Sequence, residues 1–276
     1  MNKSYSALSM IKPFAAPIII TMACVISGCG SGVGSDSVSE LKDSEITIKE
    51  EVKRKSIIEL HKLAVEGVGN AQAKLAQEFY DGLYVKRDDQ KALYWAKNAH
   101  ANNDSLGTLL LARMTFYGEA TEKNIPEALA LMETIVNKRV EAGYLLGKMY
   151  LDCVDLNSDY AIKGAKLISE SAEQGFPIAQ YEHAQTMLIG MKEPNPKVSD
   201  TVRKLIQKNA VEFMSMAADQ DYIPAVRDMG LFYKNGFIVA ADEKKANAML
   251  AVAGHKGDPI AAECLTSGKC DVSAYK

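Results

Sequence analysis

The feature that most constrains this chain is a pair of short helices that recurs along it. The first copy, residues 71–107, reads AQAKLAQEFYDGLYVKRDDQKALYWAKNAHANNDSLG. Each half has apolar residues at the spacing of one helical face, namely Ala71, Leu75, Ala76 and Phe79, then Ala92, Trp95, Ala96 and Ala99. Gly82 separates the halves and suits a left-handed helix end, and Asp88 or Asp89 can cap the second helix. Two helices this short cannot bury both stripes alone, so copies must stack on one another.

The copies can be counted from the small residue near the start of each first helix, which falls at Ala71, Gly107, Ala142, Ala179, Ala225 and Ala261. Successive intervals are 36, 35, 37, 46 and 36 residues. A large residue followed by a small one comes next in each copy, as Leu75-Ala76, Leu111-Ala112, Leu146-Gly147, His183-Ala184 and Met229-Gly230. The pattern predicts an all-α chain of about five helix–turn–helix repeats over residues 71–265, starting near residues 71, 107, 142, 179 and 225.

The segments that flank the repeats are predicted to close the array. Residues 45–70 have helical periodicity and are expected to form an N-terminal capping helix, whose apolar face holds Ile48, Val52, Ile57, Ile58, Leu60 and Leu63. Residues 266–276 follow the last repeat and are expected to form a C-terminal cap or tail. Such caps shield the open ends of a repeat array from solvent.

The spacing and wording of the repeats resemble the Sel-one-like repeat family, whose units run "A..A...LG..Y..G.GV..D..KA..W..KAA..G". The first copy (LAQEFYDGLYV, KALYWAKNA) and the fifth (MGLFYKNGF, DEKKANAML) match best, and the third contributes LLGKMY. The second and fourth copies are degenerate. The resemblance implies a right-handed α/α solenoid related to tetratricopeptide arrays, in which the first helices line the concave surface.

The first 28 residues read as a targeting segment. Lys3 and Lys12 give a positive start, and residues 13–26 form an apolar stretch of secretory length. The segment ends in Ile26-Ser27-Gly28-Cys29, which resembles the lipobox of bacterial lipoproteins. The alternative is an ordinary signal peptide with an incidental cysteine, and Cys24 is a poorer lipobox candidate.

The lipobox resemblance implies that Cys29 is lipidated and becomes the mature N-terminus. Gly30 stands where an aspartate retains lipoproteins in the inner membrane, so the resemblance implies the outer membrane, facing the periplasm. Residues 29–44 are rich in Gly and Ser and are expected to be a flexible tether. The lipid would be the chain's contact with the membrane.

Composition and motifs argue against several functions. The net charge of −3 does not favour a nucleic-acid surface. The histidines, at positions 61, 100, 183 and 255, are far apart, and the chain lacks the HExxH, Cys-x-x-Cys and Gly-x-Ser-x-Gly motifs. We therefore expect no catalytic residue, metal, cofactor or small-molecule substrate. A cell-wall or β-lactam-binding hydrolase is the alternative from another class, and it would need a nucleophile and a base in one pocket.

Function is therefore sought on the surface that the first helices present, where a solenoid binds extended or helical partners. In the register of the family, the partner-binding residues are expected to be Lys74, Gln77, Glu78, Arg113, Lys148, Glu182, Gln185 and Asp228. The expected partner is a protein. Because some lipoproteins of this family are immunity proteins, the resemblance implies a secreted toxin, and the alternative is an envelope assembly or signalling adaptor.

Two departures from the repeat stand out. Gly190 to Ala210 spans 20 residues, against 10 from Gly82 to Ala92, so residues 191–199 are an insertion, either a recognition element or a tolerated surface loop. Ser199 or Asp200 is predicted to cap the helix that follows it. Cys264 and Cys270 either form a disulfide bond that holds the C-terminal cap or remain two free thiols.

Overall fold

The fold is all-α. The computed structural model describes residues 46, 51–153, 155, 157, 159–191, 198–273 and 275. These residues form twelve α-helices and no strand, and a single antiparallel bridge joins Ile46 to Val85. The helices are α1 Glu51–Val65, α2 Gly69–Asp81, α3 Asp89–Ala101, α4 Ser105–Tyr117, α5 Ile125–Glu133, α6 Val140–Asp152, α7 Asp159–Glu173, α8 Pro177–Ile189, α9 Asp200–Asp219, α10 Ile223–Asn235, α11 Glu243–His255 and α12 Pro259–Ser267. The predicted fold class, a helical-repeat solenoid, is confirmed.

The chain divides into two compact units, residues 1–110 and 111–276, and the division falls within α4. In the first unit α1 packs on α2, and α2 packs on α3. In the second unit each helix from α6 to α12 packs on the next one along the chain. Neighbours in sequence are thus neighbours in space, as in a stacked repeat.

The first helix of each repeat begins at a fixed distance from the small residue that defines the repeat. The helices α2, α4, α6, α8, α10 and α12 begin at residues 69, 105, 140, 177, 223 and 259, two residues before the small residue in every case. Proline occupies the first turn of α8, α10 and α12, where the backbone N–H has no intrahelical partner and its loss costs little. The small residue therefore marks the first buried position and not the helix start.

The turn between the two helices of a repeat is built in two ways. Gly82, Gly118 and Gly236 have φ angles of 66°, 75° and 61°, which is the left-handed conformation that glycine adopts without steric cost. The third and fourth turns do not use it, because Cys153 has φ −112° and Gly190 has φ −62°. A cysteine is therefore tolerated at position 153, where its thiol is buried and free.

The helix caps resolve the alternatives that the sequence left open. The side chain of Asp88 accepts a hydrogen bond from the backbone N–H of Lys91 at the start of α3. The side chain of Ser199 accepts one from the N–H of Val202 at the start of α9. Both caps satisfy a donor that the helix itself leaves unpaired.

The apolar face predicted for the N-terminal helix is wrong in part. The helix begins at Glu51, and Val52 and Ile58 are 81% and 47% exposed. Ile57, which belongs to the predicted face, is buried, and so is Ala64, which does not. His61 packs edge-on against the ring of Trp95. Because α1 contacts α2 along one narrow stripe, only residues at that spacing are covered, and a broad apolar face overestimates the contact.

The insertion in the fourth repeat lengthens its second helix. α9 has 20 residues, whereas α3 and α11 have 13 each. Val202 and Leu205 are apolar but 46% and 56% exposed. They lie in the first two turns of α9, the part that the other second helices lack. Residues 192–197 of the insertion lie outside the described residues.

Small residues occupy matching positions on the two helices of each repeat. These positions of the first and second helix hold Ala76 and Ala92, Ala112 and Ala128, Gly147 and Gly164, Ala184 and Ala210, and Gly230 and Ala246. All the alanines in these pairs are buried. The third repeat has glycine at both positions. A Cβ at residue 164 would lie 2.7 Å from the carbonyl oxygen of Gly147, so α6 and α7 are in backbone contact there.

Candidate partner-binding face

A pair of side chains recurs between successive first helices of the second compact unit. The hydroxyl of Tyr144 on α6 donates a hydrogen bond to Glu182 on α8 at 2.8 Å. The hydroxyl of Tyr181 on α8 donates to Asp228 on α10 at the same distance. Each tyrosine is the fifth residue of its helix and each carboxylate is the sixth of the next first helix. We call these two pairs the tyrosine–carboxylate ladder.

The two tyrosine hydroxyls of the ladder stay protonated and therefore act as hydrogen-bond donors. Burial raises the pKa of Tyr144, and the nearby charge of Glu182 raises it further. Burial and the charge of Asp228 do the same for the pKa of Tyr181. Both hydroxyls therefore keep their protons over the physiological range. The ladder fixes the spacing of α6, α8 and α10 with polar bonds as well as apolar contacts.

The Glu182 step of the ladder reaches the surface. The ammonium of Lys148 on α6 lies 3.2 Å from the second carboxylate oxygen of Glu182, and the two side chains are 24% and 22% exposed. Both belong to the predicted partner-binding set. Gln185, one helical turn further along α8, is also partly exposed. Together these side chains present a cation, an anion and an amide that neighbouring groups hold in place.

The Asp228 step is buried, which corrects the prediction that Asp228 contacts a partner. Its side chain is 3% exposed and lies 2.6 Å from Nε of Arg227, whose Nη1 lies 3.1 Å from Asp258. Burial alone would lower the pKa of Arg227, but its hydrogen bond to Asp228 and the charge of Asp228 raise it. Asp228 therefore serves as a structural counter-ion in this cluster. Sequence register places it on the first-helix face but cannot show what covers it.

Asp228 has a further hydrogen-bond partner, Tyr275, which the sequence analysis did not predict. Tyr275, in the tail after α12, donates a hydrogen bond from its hydroxyl to Oδ2 of Asp228 and accepts one from Nε2 of Gln185 at 2.9 Å. Tyr275 is 8% exposed, and its ring lies edge-to-face against Phe232, with ring centroids 5.1 Å apart. The tail thus covers the last part of the first-helix face in this unit.

The cysteines after α11 form a disulfide bond. Cys264 and Cys270 are bonded, with their Cα atoms 4.7 Å apart. Between them Gly268 ends α12 in the left-handed conformation, with φ 73°, and turns the chain back. The bond lies at the base of the tail that carries Tyr275.

The remaining predicted residues lie elsewhere. Arg113 on α4 is partly exposed in the second compact unit. Lys74 and Gln77 are partly exposed on α2, in the first unit. Glu78 lies beside them, and its Oε2 is buried without a hydrogen-bond partner among the described residues. Burial, followed by repulsion from Asp81, raises the pKa of Glu78 to about 7.

The described residues add three observations on chemistry and location. They contain no cluster of three or more His, Cys, Asp or Glu side chains that could hold a metal ion. In the same part of the chain, no helix combines the length and the apolarity that a membrane crossing requires. The predicted lipidation site, Cys29, lies outside the described residues.

The fold defines a class of protein, the helical-repeat solenoids. Four segments of the chain match the sequence profile of the Sel1 repeat, at residues 69–104, 105–134, 200–222 and 223–258. The chain belongs to the Sel1 repeat family, whose fold is generally a non-enzymatic binding scaffold. Three of the four matches begin at the first residue of a first helix.

The matches correct the expected ranking of the copies. The second copy was expected to be degenerate, yet it is matched over residues 105–134. It keeps the turn glycine, Gly118, and the alanine pair at the matching positions. The third copy is not matched, although α6 and α7 form its helix pair. It has Cys153 at the turn and glycine at both matching positions, which are departures that the backbone accommodates.

One solved structure shares the architecture, and others are more distantly similar. A Sel1 repeat protein from Oxalobacter formigenes is 25% identical, with a TM-score of 0.62, over 78% of this chain and 60% of that one. This chain therefore spans 60% of the length of that relative. A putative Sel1 repeat protein from Klebsiella pneumoniae is 19% identical over 75% of this chain and 96% of its own, with a TM-score of 0.46. The immunity protein Pa5087 from Pseudomonas aeruginosa is 17% identical over 70% of this chain and 68% of its own, with a TM-score of 0.48. No curated protein matches the chain.

Proposed function

We propose that this chain is a lipid-anchored protein of the bacterial cell envelope that binds a partner protein through its first helices α6 and α8. The observation that carries the proposal is the Lys148–Glu182 pair, which the tyrosine–carboxylate ladder holds at the surface. Polar groups that are already ordered lose little side-chain entropy when a partner binds. A partner with complementary charges would find the cation, the anion and the amide of Gln185 in fixed positions.

The partner in this proposal is a secreted protein toxin, and binding neutralises it. Support comes from the resemblance to family members that act as immunity proteins and from the envelope location that the N-terminus indicates. An inhibitor needs a binding surface and an anchor where the toxin arrives, and it needs no chemistry of its own. The scaffold character of the family fits this role.

The anchor is tested by replacing the predicted lipidation site. We expect the wild-type chain to fractionate with the outer membrane and the Cys29→Ser variant to appear in the soluble periplasmic fraction. Cys24→Ser is the matched control, since it removes a cysteine of the same segment outside the lipobox. A Cys29→Ser chain that stays in the membrane fraction would refute the lipid anchor.

The partner is tested by affinity capture from envelope extract. The tag is best inserted in residues 30–44, because a C-terminal tag would disturb the tail at Tyr275. We expect one protein to be enriched in stoichiometric amount, to be toxic when directed to the periplasm alone, and to be harmless when this chain is made with it. A captured protein without toxicity would overturn the immunity role and leave an adaptor role. Capture of no protein would contradict the binding function itself.

A further inference from the structure

The tail after α12 makes specific contacts with the body of the second compact unit. Nδ2 of Asn235, at the end of α10, donates a hydrogen bond to the carbonyl oxygen of Cys270 at 2.9 Å. Two residues further on, the side chain of Val272 is 3% exposed. Three residues after that, Tyr275 is 8% exposed. Between them, Ser273 bonds to Asp271 within the tail itself.

The site that receives Tyr275 contacts both the ring and the hydroxyl of the side chain. The ring lies against Phe232 at 87° and against Phe237 with centroids 6.5 Å apart. The hydroxyl meets an acceptor, Oδ2 of Asp228, and a donor, Nε2 of Gln185 at 2.9 Å. An aromatic floor with an acceptor and a donor above it selects tyrosine over phenylalanine. We call Gln185, Asp228, Phe232 and Phe237 the tail site.

Asp228 accepts one more hydrogen bond from a tyrosine than its counterpart in the ladder does. Its counterpart in the ladder, Glu182, bonds to the tyrosine of the preceding first helix and to Lys148. Asp228 likewise bonds to Tyr181 and to Arg227, and it accepts the hydroxyl of Tyr275 in addition. Tyr275 is therefore a ligand that comes from outside the repeat pattern.

A covalent tether keeps the tail close to the site. The Cys264–Cys270 bond fixes Cys270 beside the end of α12, so Tyr275 is only five positions beyond the fixed point. A short tether gives the tail a high effective concentration at the site, so a free segment with the same contacts would compete poorly. The tether also disfavours exchange of tails between two copies, because five residues reach only a short distance.

We propose that the tail site is a binding site for a segment of another polypeptide with an apolar residue and, three positions later, a tyrosine, and that the chain's own Val272 and Tyr275 occupy it as a built-in competitor. The two residues are joined by a tight turn, in which the backbone N–H of Tyr275 donates to the carbonyl oxygen of Val272 at 2.9 Å. The tail provides the pattern for this ligand, since Val272 and Tyr275 are its two buried side chains among the described residues. The site includes Gln185, which lies one helical turn from Glu182 on α8. The proposal goes beyond the proposed function, because it can be tested without the envelope partner.

The test uses a fluorescent peptide of residues 271–276, DVSAYK, and the full oxidised chain. We expect the peptide to bind the Tyr275→Ala variant, in which the site is empty, and to bind wild type at least tenfold more weakly. A DVSAFK peptide should bind the variant about tenfold or more weakly than DVSAYK, because it leaves the buried carboxylate of Asp228 without one of its donors. A tail that is an inseparable part of the core, with no site of its own, predicts no peptide binding to any variant.

Two further variants keep the test decisive. Tyr275→Phe retains the ring against Phe232, so it should fold if Tyr275→Ala does not, and we expect it to admit the DVSAYK peptide better than wild type. Tyr233→Phe is the matched control, since its hydroxyl contacts Lys245 outside the tail site, and it should behave as wild type. The proposal fails if the folded Tyr275 variants bind neither peptide or bind both equally. A dimer in a mixture of wild type and Tyr275→Ala would overturn it by assigning the site to the tail of a second copy.

Discussion

Replacing Asp228 by alanine is expected to lower the free energy of unfolding by about 3–5 kcal/mol, the usual cost of removing one partner of a buried ion pair. The substitution leaves the guanidinium of Arg227 with Asp258 as its remaining carboxylate partner in the cluster. It also removes the acceptor that the hydroxyls of Tyr181 and Tyr275 share. The Asp228→Asn variant keeps an acceptor of the same shape, so its loss should be smaller.

The measurement is urea unfolding followed by far-ultraviolet circular dichroism. Trp95, the chain's single tryptophan, lies in the first compact unit, so its fluorescence reports on the unit that the substitution does not touch. The control is Glu243→Ala, which removes the carboxylate of a pair with Lys234 whose Glu243 side chain is 75% exposed. Exposed pairs contribute little, so this variant should unfold as wild type does. Equal unfolding of Asp228→Ala and Glu243→Ala would show that the buried cluster is not a structural centre.

Replacing a glycine by alanine is expected to have opposite effects at two helical positions. Gly164→Ala places a Cβ 2.7 Å from the carbonyl oxygen of Gly147, which is closer than real Cβ atoms approach backbone. Overpacking of this kind costs about 1–3 kcal/mol. The gain in helix propensity, about 1 kcal/mol, does not offset a clash between two backbones. We therefore expect Gly164→Ala to lower the melting temperature.

Gly254→Ala is the matched control in α11. A Cβ at residue 254 would meet its nearest neighbour, the backbone nitrogen of Ala262, at 3.6 Å, which is an ordinary contact. The helix propensity gain then remains, so the variant should be more stable than wild type by up to about 1 kcal/mol. Both variants are compared by thermal unfolding of the oxidised protein. A stabilised Gly164→Ala chain would contradict the close approach of α6 and α7.

The repeat itself could be read from the sequence because its signals are local. The turn glycines Gly82, Gly118 and Gly236 and the caps Asp88 and Ser199 depend on nearby residues only. The paired small residues reflect contact between helices joined by a short turn. Their spacing therefore recovers the helix starts to within two residues. The α1 face was less predictable, since periodicity does not say how wide the neighbouring surface is.

The site was predictable in part. The register placed Lys148, Glu182 and Gln185 on one surface, and the structure brings Lys148 and Glu182 into contact. The ladder was also present in the sequence as a signal, because Tyr144 and Tyr181 precede Glu182 and Asp228 by one repeat interval plus one residue. The burial of Asp228 could not be foreseen. The burial of Asp228 depends in part on Tyr275, which lies beyond the last repeat, so the spacing of the repeats does not predict its position.

The central claim is that the partner binds to the Lys148–Glu182 surface, and one affinity comparison tests it most directly. The Lys148→Gln/Glu182→Gln double variant removes both charges while keeping an acceptor for Tyr144. The matched control is Lys166→Gln/Glu170→Gln, a Lys–Glu pair 3.6 Å apart on the second helix α7. We predict that the captured partner binds the control as tightly as wild type and loses tenfold or more in affinity for the Lys148/Glu182 variant, with both variants folded by circular dichroism. Equal affinity for the two variants would contradict the claim.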